Sequence, residues 1–117
     1  MTSEEFELFL KDLNLKNGYN NKPITRNFFS VSDGWLSLIK DLILELKNVG
    51  WNGEVVQVKE KFGGLRFYIP SETTVESAII RKYELQSLNI CEVCGKNGKS
   101  KEKNNWLKTV CDEHWEN

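Results

Sequence analysis

Three cysteines and one histidine near the end of this 117-residue chain have the types and spacing to grip one metal ion. Cys91-Glu-Val-Cys94-Gly95 gives a C-x2-C pair and Cys111-Asp-Glu-His114 a C-x2-H pair. At that spacing two side chains of one tight turn meet a single ion, and thiolates with an imidazole nitrogen are the donors of tetrahedral Zn2+. The chain has no other cysteine or histidine, so no ligand is left over. Gly95, directly after the second cysteine, permits the positive φ that turns backbone N–H groups toward sulfur. The competing reading is small buried thiols, or one disulfide with a free cysteine. It fits poorly with an odd cysteine count and with a start, Met1-Thr-Ser-Glu-Glu5, that lacks the basic and apolar regions of a secretory leader. Four protein ligands leave no open position for water, so the expected ion is structural Zn2+ held by Cys91, Cys94, Cys111 and His114.

Something must hold the two ligand pairs together, and the rest of the chain offers an α+β core. Thr2 and Glu5 form a capping box ahead of Phe6, Phe9, Leu10 and Leu13, one stripe of an amphipathic helix with Gly18 as its stop. Asn17, Gly18, Asn20, Asn21 and Pro23 favour turns, and Phe28, Phe29 and Val31 are expected to pin that loop to the core. A second helix capped by Ser32 or Asp33 carries Trp35, Ile39, Leu42, Ile43 and Leu46, widened by Leu36, Leu38 and Leu44, and ends at Gly50. Trp35 is expected to anchor the core. A third helix runs from a cap within Ser71–Thr74 to about Leu88, with Val75, Ala78, Ile79, Lys82 or Tyr83, and Gln86 in a weaker stripe, Ile80 and Leu85 alongside, and feeds Ile90-Cys91.

Between these helices, Val55–Phe62, Gly63-Gly64 and Leu65–Ile69 read as a hairpin with Gly-Gly as its two-residue turn. That register pairs Phe62 with Leu65, Lys61 with Arg66 and Lys59 with Tyr68. It turns Val56, Val58, Phe62, Leu65, Phe67 and Ile69 to one face and Gln57, Lys59, Lys61, Arg66 and Tyr68 to the other. Lys61 opposite Arg66 would cost a few tenths to about 1 kcal/mol unless an anion sits nearby. A carboxylate of the same chain, a phosphate or an acidic partner would each answer it. Glu60 falls on the apolar face, at its rim or beside a bulge. Trp106–Val110 reads as a short strand returning to Cys111.

Together the segments predict one domain over residues 1–117: a small hairpin sheet packed with two or three helices over 1–89, and a zinc-ribbon or treble-clef module over 90–117. The longest apolar-rich stretch, Trp35 to Leu46, is interrupted by Lys40, Asp41 and Glu45 and is too short to span a bilayer, which argues for a cytoplasmic setting and no membrane partner. A net charge of -1 argues against a protein built mainly to coat nucleic acid, although Lys96, Lys99, Lys101, Lys103 and Lys108 stand against Glu102 alone between the ligand pairs.

Asp33-Gly34-Trp35, Gln57-Val-Lys-Glu-Lys-Phe-Gly-Gly-Leu-Arg-Phe-Tyr68, Ile90-Cys-Glu-Val-Cys-Gly95 and Thr109-Val-Cys-Asp-Glu-His114 together resemble a group of small bacteriophage and prophage proteins. The resemblance covers roughly residues 30 to 115 and carries no established activity. It implies a mobile-element origin, and a compact protein acting in the host cytoplasm by binding a host factor.

The sequence therefore points first to a zinc-stabilised protein-interaction module, with an inhibitor of a host defence or regulatory protein as its most specific form. Its candidate surfaces are Lys59, Lys61, Arg66 and Tyr68 on the hairpin, and Lys99, Lys101 and Lys103 in the spacer. The alternative is nucleic-acid binding through the same cations, with Tyr68 or Trp106 for stacking. No catalytic set is evident: the one histidine is taken by the ion, and no Walker loop, dinucleotide fingerprint or small-molecule substrate site can be read.

Overall fold

Helix α1 spans Ser3–Leu13 and begins at the expected capping box, where the Glu5 N–H donates to Thr2 Oγ1 and the Thr2 N–H donates to Glu5 Oε1. It ends earlier than Gly18. Asn14 takes the left-handed conformation (φ 53°), which asparagine tolerates better than most residues, and stops the helix there. This computed structural model describes residues 1–115. Glu116 and Asn117, the end of the expected zinc module, lie outside the described residues.

The Asn-rich loop is ordered by one arginine. Arg26 donates from its guanidinium to Phe29 O (2.9 Å), Val31 O (2.7 Å) and Asp33 Oδ1 (3.0 Å), and Ser3 Oγ donates to the same Asp33 oxygen. Phe29 is buried as expected, with Phe28 and Val31 packed at the core's margin. Two short pairings stitch the loop to strands later in the chain: β1 (Lys16–Asn17) runs parallel to β3 (Glu54–Val55), and β2 (Phe29–Ser30) parallel to β4 (Gln57–Lys61). The hairpin thereby gains a third strand, giving the order β2-β4-β5 with β5 at Gly64–Tyr68.

Asp33–Trp35 forms a 3-10 turn that leads into α2 (Leu36–Asn48). Neither Ser32 nor Asp33 caps the helix with its side chain, because Asp33 is committed to Arg26 and Ser3. Trp35, Leu36, Ile39, Leu42, Ile43 and Leu46 are all fully buried, while Leu44 faces solvent rather than widening the stripe. α2 packs against both α1 and α3 (Thr74–Ser87), and α3 lies along β5. Thr73 caps α3 in a second capping box with Glu76. The buried positions of α3 are Glu76, Ile79, Ile80, Tyr83 and Ser87, and Val75 is exposed. Between the helices Tyr83 Oη donates to Glu45 Oε1 (2.8 Å), and Lys82 pairs with the same carboxylate.

The hairpin register differs from the expected one. The turn residues are Phe62 and Gly63, both at positive φ (53° and 79°), so Lys61 pairs with Gly64, Glu60 with Leu65, Lys59 with Arg66 and Val58 with Phe67. Four contacts select this register. Glu60 Oε2 accepts the Gly63 N–H (2.8 Å), Gly63 O accepts from Thr109 Oγ1 (2.6 Å), and the outward N–H groups of Leu65 and Phe67 donate to Ser87 Oγ and Glu84 Oε2 on α3. Phe62 consequently sits at the tip, 68% exposed, and not on the apolar face. At the other end Val56 and Gln57 both stand opposite Tyr68, since the Val56 N–H donates to Tyr68 O while Gln57 pairs with Tyr68. This bulge puts Val55 in the core in place of Val56 and leaves Glu60 at the rim beside the turn.

Beyond α3 the chain makes the Cys91–Gly95 knuckle, a second antiparallel hairpin, β6 (Lys99–Lys103) with β7 (Trp106–Val110), and a 3-10 turn at Asp112–His114. The sequence reading foresaw β7 and missed β6, whose lysines look like a solvated spacer. The signal for it was the Asn104-Asn105 pair, which takes positive φ at both positions (53° and 65°), the requirement of a tight hairpin turn.

Candidate metal centre

Tetrahedral geometry gives a test of the four proposed ligands. Zn–S near 2.3 Å and Zn–N near 2.0–2.1 Å place two sulfurs ~3.8 Å apart and sulfur and nitrogen ~3.6 Å apart. The Cys94 and Cys111 sulfurs are 3.7 Å apart, and His114 Nδ1 lies 3.7 Å from Cys91 Sγ and 3.2 Å from Cys111 Sγ. All four ligand atoms fall within 4.8 Å of one another. The sulfurs are too far apart for a disulfide, which needs about 2.05 Å. A C-terminal Cys3His cluster placed to chelate one ion is thus part of this fold, and the histidine presents Nδ1 to it.

The site favours the thiolate at Cys91 and Cys111 and disfavours it at Cys94. Burial raises the Cys91 thiol, but the N–H groups of Cys111, Cys94 and Val93 and the Cys94 thiol outweigh it and bring it down to about 6. Burial likewise raises Cys111, and hydrogen bonds from His114 overcome it. The Lys96 N–H favours a Cys94 thiolate, but burial and the two neighbouring sulfurs leave that thiol raised. His114 is raised by its contacts with Cys111 and then Cys91. A cation would displace these shared protons, because zinc ligands bind deprotonated. With four protein ligand atoms within 4.8 Å of one another, three of the pairs close to tetrahedral spacing, the ion would be held without an open position.

Two contacts dock this module on the core. At the first, the Gly34 N–H donates to Glu92 O and Trp35 Nε1 donates to Ile90 O, both at 2.9 Å. A Cβ on Gly34 would lie 2.2 Å from Cys91 O, so only glycine lets the 3-10 turn come this close to the knuckle. At the second, Thr109 donates to Gly63 at the tip of the β4–β5 hairpin, where a Cβ on Gly63 would approach the Lys108 backbone to 3.3 Å. The separate strings Asp33-Gly34-Trp35, Phe62-Gly63, Cys91–Gly95 and Thr109–His114 thus converge on one structure. Neither docking contact is visible in the sequence pattern, because each joins segments distant in the chain.

The two candidate cation surfaces fall on different elements. Lys59, Lys61, Arg66 and Tyr68 share the outer face of β4–β5, with Lys59 rather than Lys61 opposite Arg66. An acid of the same chain is close to Arg66: burial pushes the Glu84 carboxyl up, and the Phe67 N–H and Arg66 partly offset it. Lys99, Lys101 and Lys103 lie on β6, and Lys101 is paired with Asp112 at 2.9 Å. Sequence reasoning also missed Glu92, whose Oε2 is buried without a hydrogen-bond partner, its carboxyl raised by burial and then by Glu60.

Comparison with protein-family models, curated proteins and solved structures returns no match to this chain. The geometry therefore has to carry the functional reading. No helix among the described residues is long and apolar enough to cross a membrane.

Proposed function

We propose that this chain is a zinc-stabilised interaction protein, in which a structural ion fixes a basic hairpin for recognition by a partner. The observation that carries the reading is the closed Cys3His set with its knuckle clamped against Gly34 and Trp35. Such a centre supplies rigidity rather than an open coordination site. Knuckle, hairpin and a final turn bearing the last two ligands follow the order of a treble clef, with one 3-10 turn in place of its terminal helix. The narrower role, inhibition of a host defence or regulatory protein, is supported by the resemblance to phage and prophage proteins alone. The test is elemental analysis of purified protein with nuclear magnetic resonance before and after chelation. One zinc per chain, and loss of dispersed β6–β7 resonances on its removal, is the expected result. Protein without stoichiometric metal but with an ordered β6–β7 hairpin would overturn it.

A further inference from the structure

Zinc ligation leaves one face of the β6–β7 ribbon unused. Lys101 stands opposite Lys108 and Lys103 opposite Trp106, so strand alternation gathers Lys99, Lys101, Lys103, Trp106 and Lys108 on that face, which is covered only at its base, where Val110 opposite Lys99 is buried. The other face carries Thr109, which is spent on docking to Gly63. Trp115 lies against the cationic face, its ring centre 5.5 Å from Lys101 Nζ. Trp106, Trp115, His114, Lys103, Asn104 and Lys108 line an open cleft of 330 Å³.

Two properties of this face indicate its ligand. The first is charge. Like charges directly opposite on a ribbon are unfavourable, and here Lys101 faces Lys108 with further lysines in the rows on either side. Asp112 pairs with Lys101 and its charge also reaches Lys99, and Glu92 lies close enough to Lys108 to feel it, so among the described residues Lys99, Lys101 and Lys108 share two carboxylates. The second is the indole of Trp106, 64% exposed on a ribbon that does not bury it. An acidic peptide would satisfy the lysines and leave the indole without a planar partner. A duplex would offer phosphates but keep its base faces stacked inside. A single strand offers both phosphates and open base faces, and base–indole stacking beside cations is how such strands are held without sequence preference.

We propose that this face binds single-stranded nucleic acid, with one base stacked on Trp106 in the cleft beside Trp115 and neighbouring phosphates on Lys99 and Lys108. The proposal rests on reading the chain as an interaction protein and names its partner.

The probe is a fluorescein-labelled oligothymidylate of about 12 nucleotides, within the range of single-strand site sizes, added to the zinc-loaded full chain. Trp35 and Trp51 are buried, so quenching of tryptophan emission on binding reports on the ribbon. Affinity should fall with salt at a log–log slope of about -1.4, for two phosphates neutralised on a single strand. Trp106→Ala should weaken binding about tenfold or more, and Trp106→Phe should restore most of it. Lys99→Gln with Lys108→Gln should flatten the salt slope while quenching persists. Zinc stoichiometry checks that each variant is folded. Equal affinity for a duplex of the same length, or a Trp106→Ala variant that binds as tightly as the parent, would overturn the proposal. Binding of polyglutamate in preference to the oligonucleotide would also overturn it and point to an acidic protein. A folded, zinc-loaded chain that ignores the oligonucleotide sinks this proposal alone, whereas a chain that binds no zinc sinks the interaction-protein reading beneath it.

Discussion

Between Phe6 and Tyr83 the chain buries 21 hydrophobic side chains in one cluster, whereas between Glu84 and Trp115 the buried hydrophobic side chains are Cys91 and Val110. The two regions meet the cost of ordering a backbone by different means. Each fully buried aliphatic or aromatic side chain in the first region contributes roughly 1.5–3 kcal/mol. The second has almost none of these, and one structural zinc, at an apparent 10–16 kcal/mol in small fingers, would take their place. Chelation gives the largest expected effect. Removing metal should collapse exchange protection in β6, β7 and the knuckle while α1, α2 and α3 keep theirs, as read by amide hydrogen exchange. Cys111→Ser should do the same. Global unfolding in either experiment would mean that the core depends on the metal as well, and the division between the regions would fail.

The seam between the regions gives the next effects in size. Gly34→Ala forces a Cβ to within 2.2 Å of the Cys91 carbonyl, a backbone atom that cannot rotate away. Overpacking of this kind costs about 3 kcal/mol, and because the displaced atoms belong to the knuckle, zinc affinity should fall with stability. A variant with unchanged zinc affinity and lowered stability would place the strain in the core instead. Thr109→Val keeps the side-chain shape but leaves Gly63 O without its donor at the second contact. Its expected cost in urea unfolding is about 1–2 kcal/mol, the penalty of a buried unpaired polar group.

Tyr83→Phe is the matching cut within the core, since it removes the hydroxyl that donates from α3 to Glu45 on α2. It should cost about 1 kcal/mol, leave zinc affinity unchanged and add to the Thr109→Val loss without coupling, as distant sites do. The titration of this hydroxyl gives a second readout. Burial first, then Glu45, pushes the Tyr83 phenol from 10.0 up to about 12. Folding therefore favours the protonated form, and the contribution is complete below the unfolded value, then fades as pH rises from there through the folded one. In alkaline unfolding curves the advantage of the parent over Tyr83→Phe should shrink and then reverse across that window.

Legibility in the sequence divides along the same line. The four ligands, the Thr2–Glu5 capping box and the α2 stripe were legible because each is a local pattern: a spacing, a residue pair three apart, a period of 3.6, whereas the cap of α3 was narrowed only to Ser71–Thr74 and its box with Glu76 was not read. The hairpin turn was misplaced by one residue, because Gly63-Gly64 is the better turn on local grounds and the contacts that select Phe62-Gly63 come from Thr109 and from α3. For the same reason the parallel β2 pairing and the role of Gly34 were hidden, since both depend on segments distant in the chain. The cationic face of β6–β7 was half visible. Its lysines and Trp106 stand out in the sequence, but their shared face appears only once the Asn104-Asn105 turn sets the register.

Phe62 is where the two regions can be compared on a single residue. It occupies a left-handed turn position (φ 53°) that disfavours a bulky side chain by about 1 kcal/mol or more, and its ring is mostly in solvent, with Lys61 Nζ 5.6 Å from the ring centre. Asparagine is the residue such a turn prefers. If Phe62 serves only the fold, Phe62→Asn should raise the urea midpoint, corresponding to roughly 0.5–1 kcal/mol, and change nothing else. The neighbouring Gly63 already carries the contact to Thr109, so the backbone geometry that docks the zinc module is kept. A variant that gains stability yet loses oligonucleotide affinity would show that the exposed ring extends the Trp106 surface across the seam, and that strain at the tip is retained for recognition. Gained stability with unchanged affinity would confine recognition to the β6–β7 hairpin.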